Sequence, residues 1–305
     1  MPLTIPKVCI IILHFKNIPC LAECLASLET VAYRNFDVII VNNGSDDLRG
    51  IAGQLKLKVE VLTSPSNTGF ACGNNLGIRE AIKNQADYVL LLNDDTIVSS
   101  DFLDILVAEG EKDPLSGMLG PEVLYYGDRE RIAFAGAEFD QAAGIFSFPR
   151  SGEFSAAPGA SVPVESDYIT GCALLVKKNL IDKIGLLDER FFLYWEDSDW
   201  GLRAKKAGFR CLVVPAAKIW HKVSASAGGN DSPLKAYYKT WGHLLFLDSY
   251  APSAKKRILA GFALDIAWLI FKSNNRDRIK KAWAYVAAIA DHYSGRAGQA
   301  RSYLR

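Results

Sequence analysis

The chain has 305 residues, half of them hydrophobic, with 35 Lys/Arg against 34 Asp/Glu. That is enough apolar material for a large core, in one domain or one domain with an appendage. Six scattered cysteines with no Cys-x-x-Cys pair, and only four histidines, exclude a zinc framework. Near-neutral overall charge gives no reason to expect a nucleic-acid partner, but the charge is uneven. Residues 251–305 hold eleven Lys/Arg against three Asp, a net +8, which leaves 24 basic and 31 acidic residues elsewhere. A basic end of this kind is suited to an anionic surface.

Residues 8–13 form a continuous apolar run, as a strand covered on both faces requires. Pro19 suits a first helical turn, and Leu21, Cys24, Leu25 and Leu28 share one helical face. Cys20 and Cys24 lie on that helix, where cysteine acts as a small buried hydrophobe. Residues 36–41 predict a second buried strand ending in the polar turn Asn42-Asn43-Gly44-Ser45-Asp46-Asp47, and residues 59–62 a third. A glycine-rich turn leads to a helix expected over 72–83. Residues 88–92 predict a fourth strand, delivering Asn93-Asp94-Asp95 at its carboxyl end. Repeated β-α units imply a mostly parallel sheet, with a ligand crevice at the strand ends.

Residues 117–150 read as strands and turns, with an aromatic-rich hairpin around Phe134 and Phe148. The Ser/Ala/Pro/Gly/Glu-rich stretch 151–165 reads as a loop. An apolar run at 169–176 precedes the acidic-aromatic motif and a helix ended by Gly208. Residues 211–214 predict a strand, and Ile219-Trp220-His221-Lys222 leads into a Ser/Gly-rich loop. Everything from Ser232 reads as about three helices. The expected division is therefore 1–231, catalytic, and 232–305, helical. The N-terminus lacks a signal-peptide layout, and the longest apolar stretch, 258–271, is interrupted by Asp265 and too short to span a bilayer. A cytoplasmic protein, or one peripheral to the inner face of the membrane, is expected.

Two acidic clusters carry the chemistry. In the first, Asp94 and Asp95 just past a buried strand can hold a hard divalent cation, or serve only as a turn capping the strand. In the second, Glu196, Asp197 and Asp199 sit among Phe191, Phe192, Tyr194, Trp195 and Trp200. Carboxylates beside aromatic walls are desolvated, and one can be poised as a general base. Asn43 and its neighbours can hydrogen-bond a base edge, or cap a helix. Gly69, Gly73 and Gly77 are four apart, which suits a helix lying close against a strand or a nucleotide, with Asn74 as the candidate nucleotide contact. The Gly-x-Gly-x-x-Gly fingerprint is absent after the first strand, against a nicotinamide dehydrogenase. His221 follows a strand; like His14, His243 and His292, a lone histidine is more often packed than liganding.

Six motifs occur in order: Val41-Asn42-Asn43-Gly44-Ser45, Asn67-Thr68-Gly69-Phe70-Ala71, Leu92-Asn93-Asp94-Asp95, Thr170-Gly171-Cys172-Ala173, Phe192-Leu193-Tyr194-Trp195-Glu196-Asp197-Ser198-Asp199-Trp200, and Trp220-His221-Lys222. Together they resemble the family-2 glycosyltransferases of the GT-A fold, in the bacterial branch that includes rhamnosyltransferases, over about residues 8–246. The resemblance implies an α/β, Rossmann-like, mixed but mostly parallel sheet flanked by helices, with a C-terminal helical appendage. It implies Asp197 as catalytic base, Asp95 as ligand of Mg²⁺ or Mn²⁺, and His221 at the metal or diphosphate. Asn43 would face the base, with Asn93 and Asp94 near the ribose or metal waters; Asn93 stands where the family more often has Asp. Gly171, Cys172 and Glu196 would border the acceptor, and Trp195 and Trp200 would either stack on a sugar or fill the core.

The implied reaction is inverting transfer of a hexose, rhamnose being the first candidate, from a nucleoside-diphosphate sugar to a glycan or lipid-linked glycan in cell-surface polysaccharide synthesis. The basic tail at 251–305 would either touch the membrane or pack on the catalytic domain or on a second copy in a homo-oligomer. Two other readings stand beside it. A non-catalytic sugar-nucleotide or glycan-binding module would not need Asp95, Asp197 and His221, and a nucleotidyltransferase would want a basic glycine-rich loop after the first strand.

Overall fold

The computed structural model describes residues 5–52, 56–155, 162–222, 232–273 and 277–300. The first half alternates as the apolar runs require: β1 (Val8–His14), α1 (Ile18–Leu28), β2 (Phe36–Asn42), α2 (Arg49–Ala52), β3 (Val59–Thr63), α3 (Gly69–Lys83) and β4 (Tyr88–Asn93). Next come β5 (Thr96–Val98), α4 (Phe102–Lys112), β6 (Ser116–Tyr125), β7 (Asp128–Phe134), β8 (Glu138–Asp140), β9 (Ile145–Ser147), β10 (Val164–Ser166) and β11 (Ala173–Lys177). The chain continues through α5 (Lys178–Ile184), α6 (Glu196–Lys206), β12 (Arg210–His221), α7 (Pro233–Tyr250), α8 (Lys255–Phe271) and α9 (Arg278–Tyr293).

Among the described residues the main sheet runs β10-β12-β6-β11-β4-β1-β2-β3, with β5 added to β12 and β7 to β6. β3, β2, β1 and β4 are mutually parallel, and β11 is inserted antiparallel between β4 and β6. β1, β2, β4 and β11 are buried along most or all of their length, which is why they read as unbroken apolar runs. Helices on both faces complete an α/β sandwich. At α1, Pro19 occupies the first turn and the Asn17 side chain caps it by accepting from the Cys20 amide. β8 and β9 are the aromatic hairpin, where Phe139 and Phe146 sit across from one another.

Three boundaries differ from the sequence reading. α3 begins at Gly69, so the turn glycine is its first residue. Residues 211–214 and 219–221 form one strand, β12, with an irregularity in its pairing to β6 between Val214 and Lys218, where Pro215 cannot donate. The stretch read as a loop contains β10, paired to β12. Residues 156–161 of that stretch, and the Ser/Gly-rich segment after Lys222, lie outside the described residues.

Register sets what the sheet presents. His14 lies opposite Asn42, and Leu13 opposite Asn93, so the carboxyl ends of three parallel strands finish at one level. The antiparallel β11 brings its amino end to the same edge: Ala173 lies opposite Leu92, and the Asn93 amide donates to the Cys172 carbonyl at 2.9 Å.

α3 reaches this edge by lying close on β1. A Cβ added at Gly77 would sit 2.5 Å from Cγ2 of the buried, β-branched Ile11. Gly77→Ala should therefore destabilise the protein by about 1–3 kcal/mol through overpacking, although alanine is the better helix former by about 1 kcal/mol. Urea unfolding measures this. A raised midpoint would show that the contact is slack.

Candidate active site

The strand ends open on a cavity of about 670 Å³, within the range for small-molecule sites. Asn43, Asn93, Asp94, Asp95, Gly171, Cys172, Glu196, Asp197 and His221 all line it. The motifs scattered along the sequence are thus one surface.

Backbone pairing brings Asp95 and His221 together. Asp95 precedes β5, and β5 pairs antiparallel with the end of β12, Thr96 opposite His221. The Lys222 amide donates to the Asp95 carbonyl at 3.0 Å, and Asp95 Oδ1 lies 3.0 Å from His221 Nε2. Asn93 Nδ2 is 3.4 Å from the same imidazole nitrogen, across 128 residues of sequence. A carboxylate and an imidazole so placed suit a divalent cation whose remaining positions go to water and substrate phosphate. No cluster of three or more His, Cys, Asp or Glu able to hold a metal occurs among the described residues, so the protein would supply only part of the coordination shell.

Asp197 reaches the cavity through a strained turn. Tyr194 and Trp195 are consecutive non-glycine residues in the left-handed region, at φ 71° and 79°. Packing holds them there: the Trp195 ring stacks on His243 with centroids 4.3 Å apart, and its Nε1 donates to the Lys239 carbonyl. α6 starts at the next residue, which aims Glu196 and Asp197 inward. Asp197 Oδ2 accepts from the Gly171 amide at 2.9 Å, and Oδ1 from the Ser198 amide at 2.7 Å. Burial pushes the Asp197 carboxyl above its usual range, against the pull of these amides. Glu196 is driven well up by burial and then by the Asp197 charge, and its Oε2 is buried with no hydrogen-bond partner among the described residues. Asp199, the third acid, is structural: it holds Arg203 at 2.8 Å and the Tyr250 hydroxyl at 2.7 Å.

Asn43 lines the cavity but is heavily engaged. It donates to Asn67 and the Gly69 carbonyl and accepts from the Thr68 amide and hydroxyl, fixing the loop before α3. Gly69 has φ 86°, and a Cβ there would strike the Phe192 carbonyl. That contact, with the Phe70 amide donating to the same carbonyl, joins this loop to the acidic motif.

Three expected site residues lie elsewhere. Trp200 is fully buried in the core, its Nε1 donating to the Gly185 carbonyl, so it offers no sugar-stacking face. Trp195 packs on α7 instead of lining the cavity. Asn74, on the buried side of α3, donates to the Phe70 carbonyl. Cys172 does line the cavity, with its thiol pushed up to about 12 by burial, which leaves it inert as a nucleophile.

His14 was passed over as a lone histidine. It is fully buried at the end of β1, with Nδ1 2.7 Å from Asp94 Oδ2 and Nε2 3.0 Å from Asp46 Oδ2. Burial opposes its charge, but hydrogen bonds to Asp94 and then Asp46 outweigh burial and raise its pKa. Asp94 is pushed up by burial, with the His14 hydrogen bond opposing. Lys235 was also missed. It lies buried in the first turn of α7, in the cavity wall, its pKa lowered by burial and by Lys239 and supported by Asp95. Its only sequence signal is the Ser232-Pro233 helix start.

A glycosyl transferase family 2 model matches residues 9–182. The chain is 28% identical over 241 residues to the N-acetylglucosaminyl-diphospho-decaprenol L-rhamnosyltransferase of Mycobacterium tuberculosis, covering 73% of this chain and 78% of that protein. It is 22% identical over 244 residues to the dTDP-rhamnosyl transferase RfbF of Shigella flexneri, covering 75% and 76%. Among solved structures, GalNAc-T7 with UDP, GalNAc and Mn²⁺ superposes with a TM-score of 0.65 at 13% identity, over 96% of this chain and 58% of that one. The Pyrobaculum calidifontis mannosyltransferase PcManGT, in complex with GDP-Man and Mn²⁺, gives 0.57 at 15% identity, over 96% and 88%. The structural likenesses establish the GT-A fold. With the family model running over more than half its length, the chain belongs to glycosyl transferase family 2, in the rhamnosyltransferase-like branch.

Proposed function

We propose that the cavity transfers a hexosyl group, with inversion, from a nucleoside-diphosphate sugar to a hydroxyl of a glycan or lipid-linked glycan. The observation that carries this reading is Asp197: a half-buried carboxylate, oriented by the Gly171 amide, in the same cavity as the Asp95–His221 pair. Asp197 takes the acceptor proton as that oxygen attacks the anomeric carbon. The new carbon–oxygen bond forms as the bond to the diphosphate breaks, and nucleoside diphosphate leaves. Asp95 and His221 would hold Mg²⁺ or Mn²⁺, which when bound neutralises charge on the diphosphate. Lys235 adds a cation to the wall facing it. His14 holds Asp94 in place at the cavity floor, and Asn43 shapes the loop that meets the nucleotide. The two rhamnosyltransferase relatives favour a dTDP-rhamnose donor, and the mycobacterial relative's name favours a lipid-diphosphate-linked acceptor.

Product analysis tests the reaction class: a sugar transferase releases nucleoside diphosphate, whereas pyrophosphate would mean nucleotidyl transfer. Asp197→Asn should lower kcat by at least ~10²-fold while leaving donor binding intact in a thermal-shift assay. Near-normal turnover would remove Asp197 as the base.

The pH profile follows from burial. Only ionised Asp197 accepts a proton, and its pKa is raised, so kcat/KM should climb with pH along a limb displaced above the ordinary carboxylate value of ~4. A limb at or below that value would contradict a desolvated base.

Asp95→Ala, or chelator added to the wild type, should abolish transfer, with manganese restoring the chelated wild type but not the variant. Activity unaffected by chelator would overturn the metal assignment.

A further inference from the structure

Most of α8 faces away from the protein: of its 17 residues only Leu269 is buried. Its outward face is not polar. Leu264, Trp268 and Phe271, spaced four and three apart, are 72%, 56% and 81% exposed. α9 repeats the pattern. Its inward side, Ala284, Ala287, Ala288 and Asp291, packs toward α7, where the Tyr237 hydroxyl donates to Asp291 at 2.9 Å. Its outward side carries Ile279, Trp283, Val286 and Tyr293, again at helical spacing, with Trp283 59% exposed. Two neighbouring helices thus show apolar, tryptophan-bearing stripes to water, an arrangement that marks an interaction surface.

Charge selects the partner. Lys256 and Arg257 on α8, Lys272 just past its end and Lys280 on α9 are exposed, against the exposed acids Asp265 and Asp277, within a segment that is +8 overall. A symmetric contact with a second copy would set this patch against itself and oppose like charges. An anionic lipid surface satisfies both the basic side chains and the apolar stripe, and tryptophan favours the headgroup level. No described helix is long and apolar enough to cross a membrane, so the helices would lie in the interface.

We propose that the outward face of α8 and α9 docks this protein on an anionic membrane. The docking helices are joined to the cavity through α7. α7, which packs on α9 and leads into α8, supplies Lys235, Tyr238 and Lys239 to the cavity wall, and Gln299, beyond α9, closes on the Asn67 carbonyl.

Flotation of the full chain tests this without relying on catalysis. Phosphatidylcholine vesicles containing phosphatidylglycerol should carry the protein up the gradient; pure phosphatidylcholine vesicles should not, and high salt should weaken the association. The W268E/F271E/W283E variant should lose about tenfold or more in partitioning while keeping its circular dichroism. Brominated phosphatidylglycerol should quench the tryptophan fluorescence of the unaltered protein, a readout that needs no variant. Absence of binding to anionic vesicles, binding undiminished by a folded triple variant, or absence of quenching would each overturn the proposal. So would light scattering that shows a dimer in the absence of lipid, converted to monomer by the triple variant, since a second copy would then be the occupant.

Discussion

The hydrogen bond from the Gly171 amide to the Asp197 carboxylate joins the two halves of the active site. On one side, Gly171 precedes Cys172, whose carbonyl receives the Asn93 amide and so is locked to the strand that ends in Asp94 and Asp95. On the other, Asp197 opens α6, a helix whose entry needs two residues in the left-handed region. A backbone donor cannot rotate away as a side-chain donor can. It therefore fixes a desolvated carboxylate relative to the sheet edge, and everything that follows from that carboxylate depends on it. The strain at Tyr194 and Trp195 is offset by stacking on His243 and by the packing of α7, so the helical region contributes directly to placing Asp197.

Much of the fold was legible because burial on both faces of a parallel sheet leaves an unmistakable trace. β1, β2 and β4 are runs of Ile, Leu and Val ended abruptly by polar residues, and the ends of such strands are where ligands bind. The less legible elements are those set by pairing rather than local pattern. β12 reads as two strands because Pro215 and the alanines after it interrupt the apolar run, yet its continuation is what carries His221 to Asp95. α3 starts at Gly69 because the Phe192 carbonyl, far away in sequence, makes that close approach necessary.

The site residues divide in the same way. Asp95 and Asp197 stand out by type and position and His221 only through the family resemblance, and the structure gathers all three in one cavity. Tryptophans do not carry that kind of signal. Trp195 and Trp200 sit five apart in one motif, but one clamps the turn from outside the cavity and the other is core, and only the direction of the helix decides which. His14 had the opposite problem. A histidine ending a strand looks ordinary until Asp94 and Asp46 are seen on either side of it, and those partners come from two different loops. Lys235 was hidden because the helices from residue 233 onward looked like an appendage, when their first turn forms part of the cavity wall.

The charges around the cavity bear on how an acidic pocket would accept the anionic donor proposed for it. Asp94, Asp95, Glu196 and Asp197 all line it, and four ionised carboxylates would repel a diphosphate. The structure handles each differently. His14, its pKa raised, compensates Asp94 from beneath, and His221 faces Asp95 where a divalent cation would add further positive charge. Glu196 is held toward its neutral form by burial and by its neighbour Asp197. Asp197 has no cationic side-chain partner of this kind; its carboxylate is held by the Gly171 and Ser198 amides. On the proposed reading, ionised Asp197 would take up the proton while the Asp94 and Asp95 charges are offset where phosphate would sit, a separation that requires each acid to have its own distinct environment.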